Sequence, residues 1–113
     1  MNNKPWLVRK SSHANADYAS ILRWTLQQFG KDQARIYAKT LGAALRDLRA
    51  GPSIVGSKPC LQMDEDIYTL PVARQGRAGR HLVVFRVNQT QHQIDILRIL
   101  HDSMDLPRHL SLH

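Results

Sequence analysis

The side chains best suited to chemistry gather in the second half of the chain. Arg74, Arg77, Arg80, Arg86 and Arg98 crowd a stretch of extended pattern, and His101 closes it. A guanidinium binds phosphates and carboxylates through a rigid fork of donors. Beside a histidine, such a group suits cleavage of an RNA phosphodiester. That reaction needs a base for the 2′-hydroxyl, an acid for the leaving oxygen and cations for the phosphate. His101 would take one proton-transfer role and Arg74 the phosphate. Glu65 would take the other proton-transfer role if its loop folds inward. The plainer alternative is a set of surface arginines flanking a histidine at a strand end. Residue types alone favour that alternative, because the reaction depends on geometry.

Other constellations carry less. The six histidines, His13, His81, His92, His101, His109 and His113, show no paired spacing suited to structural zinc, and Cys60 has no second cysteine. No metal or cofactor is expected. Gly76-x-x-Gly79 lies in a turn between strands and opens no helix, so it is read as a hairpin turn and not a nucleotide loop. Asp64-Glu65-Asp66 is a short acidic run, read as a solvated loop. Trp6, Trp24 and Tyr37 could stack on bases. Tyr37 falls on an apolar stripe and is assigned to the core. Trp24 falls off the densest stripe and is a candidate contact residue.

Helices and strands must position these groups. Trp6–Lys10 is a strand candidate introduced by Pro5. Ser11 and Ser12 offer helix caps. Tyr18, Ile21, Leu22, Thr25, Leu26 and Phe29 then follow at helical spacing, up to Gly30. Asp32 is the expected cap of a second helix. Its stripe runs through Ala34, Tyr37, Leu41, Ala44, Leu45 and Leu48 and stops at Gly51-Pro52. A link of only Gly30 and Lys31 folds the two helices into a hairpin. Residues 52–66 read as a long loop. Strands are predicted at Ile67–Arg74, Arg80–Asn88 and Gln93–Leu100, with Pro71 placing the first at an edge or bulge. The fold class is α+β: an N-terminal strand, an antiparallel helix hairpin, then a three-stranded antiparallel meander, with the hairpin on one face.

The 113 residues suit one domain, 1–113, of ordinary globular composition. A net charge of +7 points to an acidic partner or a nucleic-acid-rich target, beside the plainer role of keeping the chain in solution. A lone cysteine suits a reducing compartment. No apolar run reaches membrane-spanning length, and residues 1–6 lack the apolar centre of a signal peptide. The expected location is the cytoplasm, with no membrane partner.

Two stretches resemble a known family. Ser11-x-x-Ala14-x-x-Asp17-Tyr18-x-x-Ile21, continued by Phe29-Gly30, Ala34, Tyr37 and Leu41, resembles the opening of ParE/RelE-superfamily toxins. Ile99-Leu100-His101-Asp102-Ser103-Met104-Asp105, followed by Leu110, is similar to the leucine-histidine-x-x-methionine-aspartate ending of the ParE branch. The resemblance covers residues 6–110. It implies the strand, helix, helix and three-strand order reached above, and a cognate ParD-like antitoxin. It also implies inhibition of DNA gyrase by protein binding, not catalysis, with no sequence-specific nucleic-acid contact. Trp24, Arg74, Arg98, His101, Met104, Asp105 and Arg108 are the candidate contacts with target or partner. The alternative is a ribosome-dependent mRNA endonuclease of the RelE type, using Glu65, Arg74 and His101. In that branch an aromatic follows the histidine in some members, whereas Asp102 follows it here. A third possibility is a member that has lost toxicity and persists as an antitoxin-binding module.

Overall fold

The computed structural model describes residues 4–60 and 63–104. Strand β1 (Leu7–Lys10) leads into helix α1 (Ser12–Phe29). The Ser11 hydroxyl accepts from the Ala14 amide and so caps one of the free donors of the first turn. Gly30, at φ 91°, is the whole connection to α2 (Lys31–Asp47). The cap of the second helix therefore falls two residues earlier than expected, at Gly30 and not Asp32. Asp32 lies in its first turn, where a carboxylate faces the positive end of the helix dipole, and does not cap it. A 3-10 turn at Leu48–Ala50 ends the hairpin before Gly51.

The remaining chain is β2 (Lys58–Pro59), β3 (Ile67–Pro71), β4 (His81–Asn88) and β5 (Gln93–His101). The sheet runs in the order β1-β5-β4-β3-β2, with β1 parallel to β5 and the others antiparallel. The predicted α+β order and meander are present. The segment read as a continuous loop contributes β2 as an extra edge strand. Pro71 lies past the end of β2, on the side of β3 that needs no amide, because the bonds to β4 run through Val72.

The helix hairpin packs on one sheet face. Leu41 and Ala44 of α2 and Leu48 of the 3-10 turn meet Val83, Phe85, Ile94, Ile96 and Ile99 there, all buried. A smaller cluster of Cys60, Ile67, Val84 and Leu100 lies on the opposite face, joined by Met63 and Leu97. The two helices are held unequally. In α1 only Ala14 and Thr25 are buried, and its far end stands clear of the sheet. Leu26 and Phe29, assigned by spacing to the core stripe, are 45% and 62% exposed. An apolar stripe longer than the surface it packs on leaves its last turn in solvent.

One irregularity in the sheet matters for the site. Val84 pairs with Arg98 and Phe85 with Ile96, so Leu97 is an extra residue in β5. Before the bulge, Ile94 and Ile96 face the helices. After it, Ile99 does so, and Leu100 falls on the other face. The same shift brings His101 opposite His81. The described helices include none long and apolar enough to cross a membrane.

Candidate functional site

The end of the sheet nearest the chain's last described residues holds the densest group of polar side chains. His81 starts β4 and His101 ends β5, and the two are paired across the sheet with rings 5.5 Å apart at 82°. The Tyr37 hydroxyl, from α2, lies 2.6 Å from His81 Nδ1. The contact is partly buried, and its donor is set by the His81 tautomer. Burial first, and the neighbouring His101 second, hold its imidazole below the usual histidine range, although Asp102 and Asp17 pull the other way. Burial likewise raises the Tyr37 phenol. Gly79 is required here by space: a Cβ would lie 2.8 Å from the Tyr37 ring and 2.7 Å from Val72.

The turn after β5 is tied to the same place. His101 Nδ1 lies 2.7 Å from Ser103 Oγ and accepts from the Ser103 amide at 3.2 Å. The Asp102 amide donates to the Arg80 carbonyl, and the Asp102 carboxylate takes a forked contact from the Arg80 guanidinium. The hydrogen bond from Arg80 holds the Asp102 carboxyl below the usual carboxylate range.

Arg98 does not join this group. It wraps the edge of β5 that β1 leaves open and meets Asp17 of α1 through Nε at 2.7 Å and a second nitrogen at 3.0 Å. Asp17 also accepts the Ile99 amide at 2.9 Å, and Ser11 Oγ donates to the Leu97 carbonyl. The start of α1 thus closes the far part of the β5 edge. Arg74 has a similar fate. One of its nitrogens bonds Asp47 at 2.9 Å, another bonds the Val55 carbonyl at 3.0 Å, and its side chain is 11% exposed. Arg77 shares Asp47 with it.

Glu65 lies at the other end of the sheet. The Val87 amide donates to the Asp66 carbonyl, which places this turn six positions along β4 from His81, roughly 20 Å at about 3.3 Å per residue. Glu65, Arg74 and His101 are therefore not assembled in this arrangement. Trp24 is 55% exposed at the far end of α1, where its ring meets the edge of Phe29 at 5.7 Å. Met104 is exposed just past the His101 turn. Asp105 and Arg108 lie outside the described residues. Among the described residues, no group of three or more His, Cys, Asp or Glu side chains could hold a metal ion.

Sequence reasoning did not find His81 or Tyr37 as site residues, nor Asp17 and Asp47 as the partners that occupy two candidate arginines. One sign of the histidine pair was legible. A turn at Gln89–His92 folds the two strands into a hairpin, and His81 and His101 stand near the strand ends away from that turn. The alternation within β5 gave no sign of the bulge that sets them opposite each other.

Comparison with known proteins agrees with this architecture. Residues 8–106 match the family described as ParE toxin of type II toxin-antitoxin system, parDE. Toxin ParE1 of Caulobacter vibrioides is 32% identical over 107 residues, covering 95% of this chain and 98% of that protein. Toxin ParE1 of Mycobacterium tuberculosis is 32% identical over 100 residues, covering 88% and 93%. Among solved structures, a chain of the chromosomal ParDE TA system from P. aeruginosa superposes with a TM-score of 0.70 at 19% identity, covering 87% of this chain and 97% of that one. A chain of the RelBE2 toxin-antitoxin complex from Mycobacterium tuberculosis does so at 0.60 and 21%, covering 88% and 94%. These two likenesses show the fold, and the sequence matches show the family: the chain belongs to the ParE toxins of type II toxin–antitoxin systems.

Proposed function

We propose that this toxin acts by binding DNA gyrase, without chemistry of its own, and that a cognate ParD-like antitoxin neutralises it. The observation that carries the non-enzymatic reading is the dispersal of Glu65, Arg74 and His101. Glu65 is a sheet length from His101, and the Arg74 fork is spent on Asp47 and Val55. An RNA-cleaving site needs both proton-transfer groups within hydrogen-bond reach of one phosphodiester, and losing one costs about 100- to 10,000-fold. A gyrase poison needs a shaped surface whose energy rests on a few aromatic and arginine anchors. Trp24 is such an anchor on the exposed end of α1. The antitoxin reading draws on family membership, on the net charge of +7, and on solved relatives described as ParDE and RelBE2 toxin–antitoxin assemblies.

The test incubates the purified chain with gyrase, ATP and relaxed plasmid, then adds detergent and protease. Linear DNA or loss of supercoiling is expected. Absence of both, together with cutting of ribosome-bound mRNA, would overturn the proposal.

One observation favours the second reading, an mRNA endonuclease. His81 and His101 are two imidazoles 5.5 Å apart, enough to divide acid and base between them. That arrangement needs a free His81 Nδ1 or an outward Nε2, and Tyr37 already occupies Nδ1. Under that reading His81→Asn and His101→Gln each abolish RNA cleavage in the same assay.

A further inference from the structure

We propose that the outward face of α2 grips the phosphate backbone of double-stranded DNA, without reading its sequence. The choice of DNA rests on the gyrase reading above, in which the docked toxin lies beside the DNA that gyrase holds.

The placement of positive charge supplies the first observation. The sequence crowds arginines into the sheet segments, but the fold neutralises them there. Arg74 and Arg77 share Asp47, Arg80 takes Asp102, Arg86 takes Asp64 and Asp66, and Arg98 takes Asp17. The net charge of +7 therefore resides elsewhere. Along α2, Lys31, Arg35 and Lys39 recur every four residues, and Arg46 follows seven residues later. That spacing sets all four on one side of the helix, away from Tyr37, Leu41 and Ala44 on the sheet side. All four are exposed. Lys31, Lys39 and Arg46 meet no carboxylate among the described residues. Arg35 meets only Asp32, at 3.4 Å, in a solvent-exposed pair that contributes little and that a phosphate can replace.

The second observation is what lies between the cations. Ile36 is the one exposed large apolar side chain of α2, and its spacing sets it to the side of the stripe. Gly42 falls within the stripe, between Lys39 and Arg46. A Cβ there would lie 3.3 Å from Arg46 Nη1, so the guanidinium rests over the bare glycine, one turn back toward Lys39. Glycine inside a helix costs stability relative to alanine, and here it lowers the surface where another backbone can approach.

These features select the partner. A protein segment laid along a helix needs apolar anchors. A row of cations with none between them suits phosphates, which fix position and carry no sequence information. Lys31 to Arg46 spans about 22 Å at about 1.5 Å per residue, against a major groove about 12 Å wide, so the row reaches phosphates on both groove walls. A face serving only solubility would mix signs. The two acids of α2 are Asp32 and Asp47, and Asp47 is spent on Arg74 and Arg77. The row also begins just past Gly30, at the hairpin end that carries Trp24 and Phe29. A toxin docked on gyrase through Trp24 would lay α2 along the bound DNA.

The test follows the fluorescence anisotropy of a labelled, mixed-sequence DNA duplex of about 30 base pairs with the full chain, from about 50 to about 200 mM KCl. Four phosphate contacts predict a slope of log affinity on log salt of about −3.6, a loss of about 150-fold across that range. Lys31→Gln with Lys39→Gln leaves the Arg35–Asp32 pair in place. It should ease the slope to about −1.8 and weaken binding at the lower salt by at least about ten-fold. Arg9→Gln with Lys58→Gln makes the same charge change at the two sheet edges and should leave the slope near its original value. Equal easing by both pairs, or no salt-dependent binding by the unaltered chain, overturns the proposal. A duplex RNA of equal length that competes at least about ten-fold better than the DNA overturns it too, and assigns the face to RNA. If the double variant melts lower than the unaltered chain, Lys39→Gln alone decides, with an expected easing of about 0.9. Duplex binding that depends on the stripe, without any effect on gyrase, leaves this face standing and removes the gyrase reading. Gyrase inhibition by a chain that binds no duplex does the reverse.

Discussion

Asp17 ties the start of α1 to β5. Its carboxylate receives two contacts from Arg98 and the Ile99 amide, and its side chain is 16% exposed. Replacing it by asparagine keeps one oxygen but turns an amine toward a guanidinium or a backbone donor. Leaving such partners unsatisfied costs about 1 to 3 kcal/mol. Asp17→Asn should lose that much stability in urea unfolding. Asp102→Asn should lose clearly less, because the Arg80–Asp102 pair is surface-exposed and screened. His81 gives a second residue-level prediction. Its folded affinity for protons is depressed by burial and then by His101, so the unfolded chain binds the extra proton more readily. Its contribution to stability is therefore complete above the unfolded value of about 6.5 and is lost as pH falls from there through the lower folded value. Melting temperature should decline across that window, and His81→Gln should flatten the decline. Equal pH dependence in both proteins would remove His81 as the cause.

At the scale of elements, the two helices have different tasks. Leu41 is fully buried between α2 and the sheet. Leu41→Ala should cost about 2 to 5 kcal/mol. Trp24 stands on the exposed end of α1, so Trp24→Ala should change stability by about half a kcal/mol or less. The same change should impair gyrase inhibition if the end of α1 is a contact surface. A comparable stability loss in both variants would contradict this division between an inner helix and an outward-facing one. The hairpin itself was legible from its apolar spacing and from Gly30. The exposure of Leu26 and Phe29 was not, because a periodic stripe records which side of a helix is apolar and says nothing of how far the opposing sheet extends.

For the whole molecule, the two functional readings differ in their pattern of sensitivity. If toxicity comes from gyrase binding, His101→Gln should be mild, and a chain stopped before Met104 should lose inhibition. If it comes from RNA cleavage, His101→Gln alone should abolish toxicity while folding and antitoxin binding persist. Scoring both variants for gyrase inhibition and mRNA cutting separates the outcomes. The first residues past His101 leave the sheet from a turn fixed by Arg80, Asp102 and Ser103, so the histidine also has a positioning task that both experiments must allow for. A melting temperature measured for each variant shows whether lost inhibition reflects lost folding.

By itself the sequence determined the order of the two helices and the main strands, the apolar side of each helix and the family. Those properties are written in local periodicity, in glycine and proline at the breaks, and in side chains spaced along one segment. Which charges meet was decided only by the tertiary structure. Arg98 finds Asp17 eighty-one residues away, and Arg74 finds Asp47 across the helix–sheet boundary. The extra Leu97 turns His101 toward His81, a one-residue shift that flips every later side chain in the strand to the other face. The open edge of β1 follows from the same cause. A strand's hydrogen-bonding partners depend on which distant segment lies beside it, and no pattern within residues 7–10 specifies that β5 fills one side and leaves the other bare.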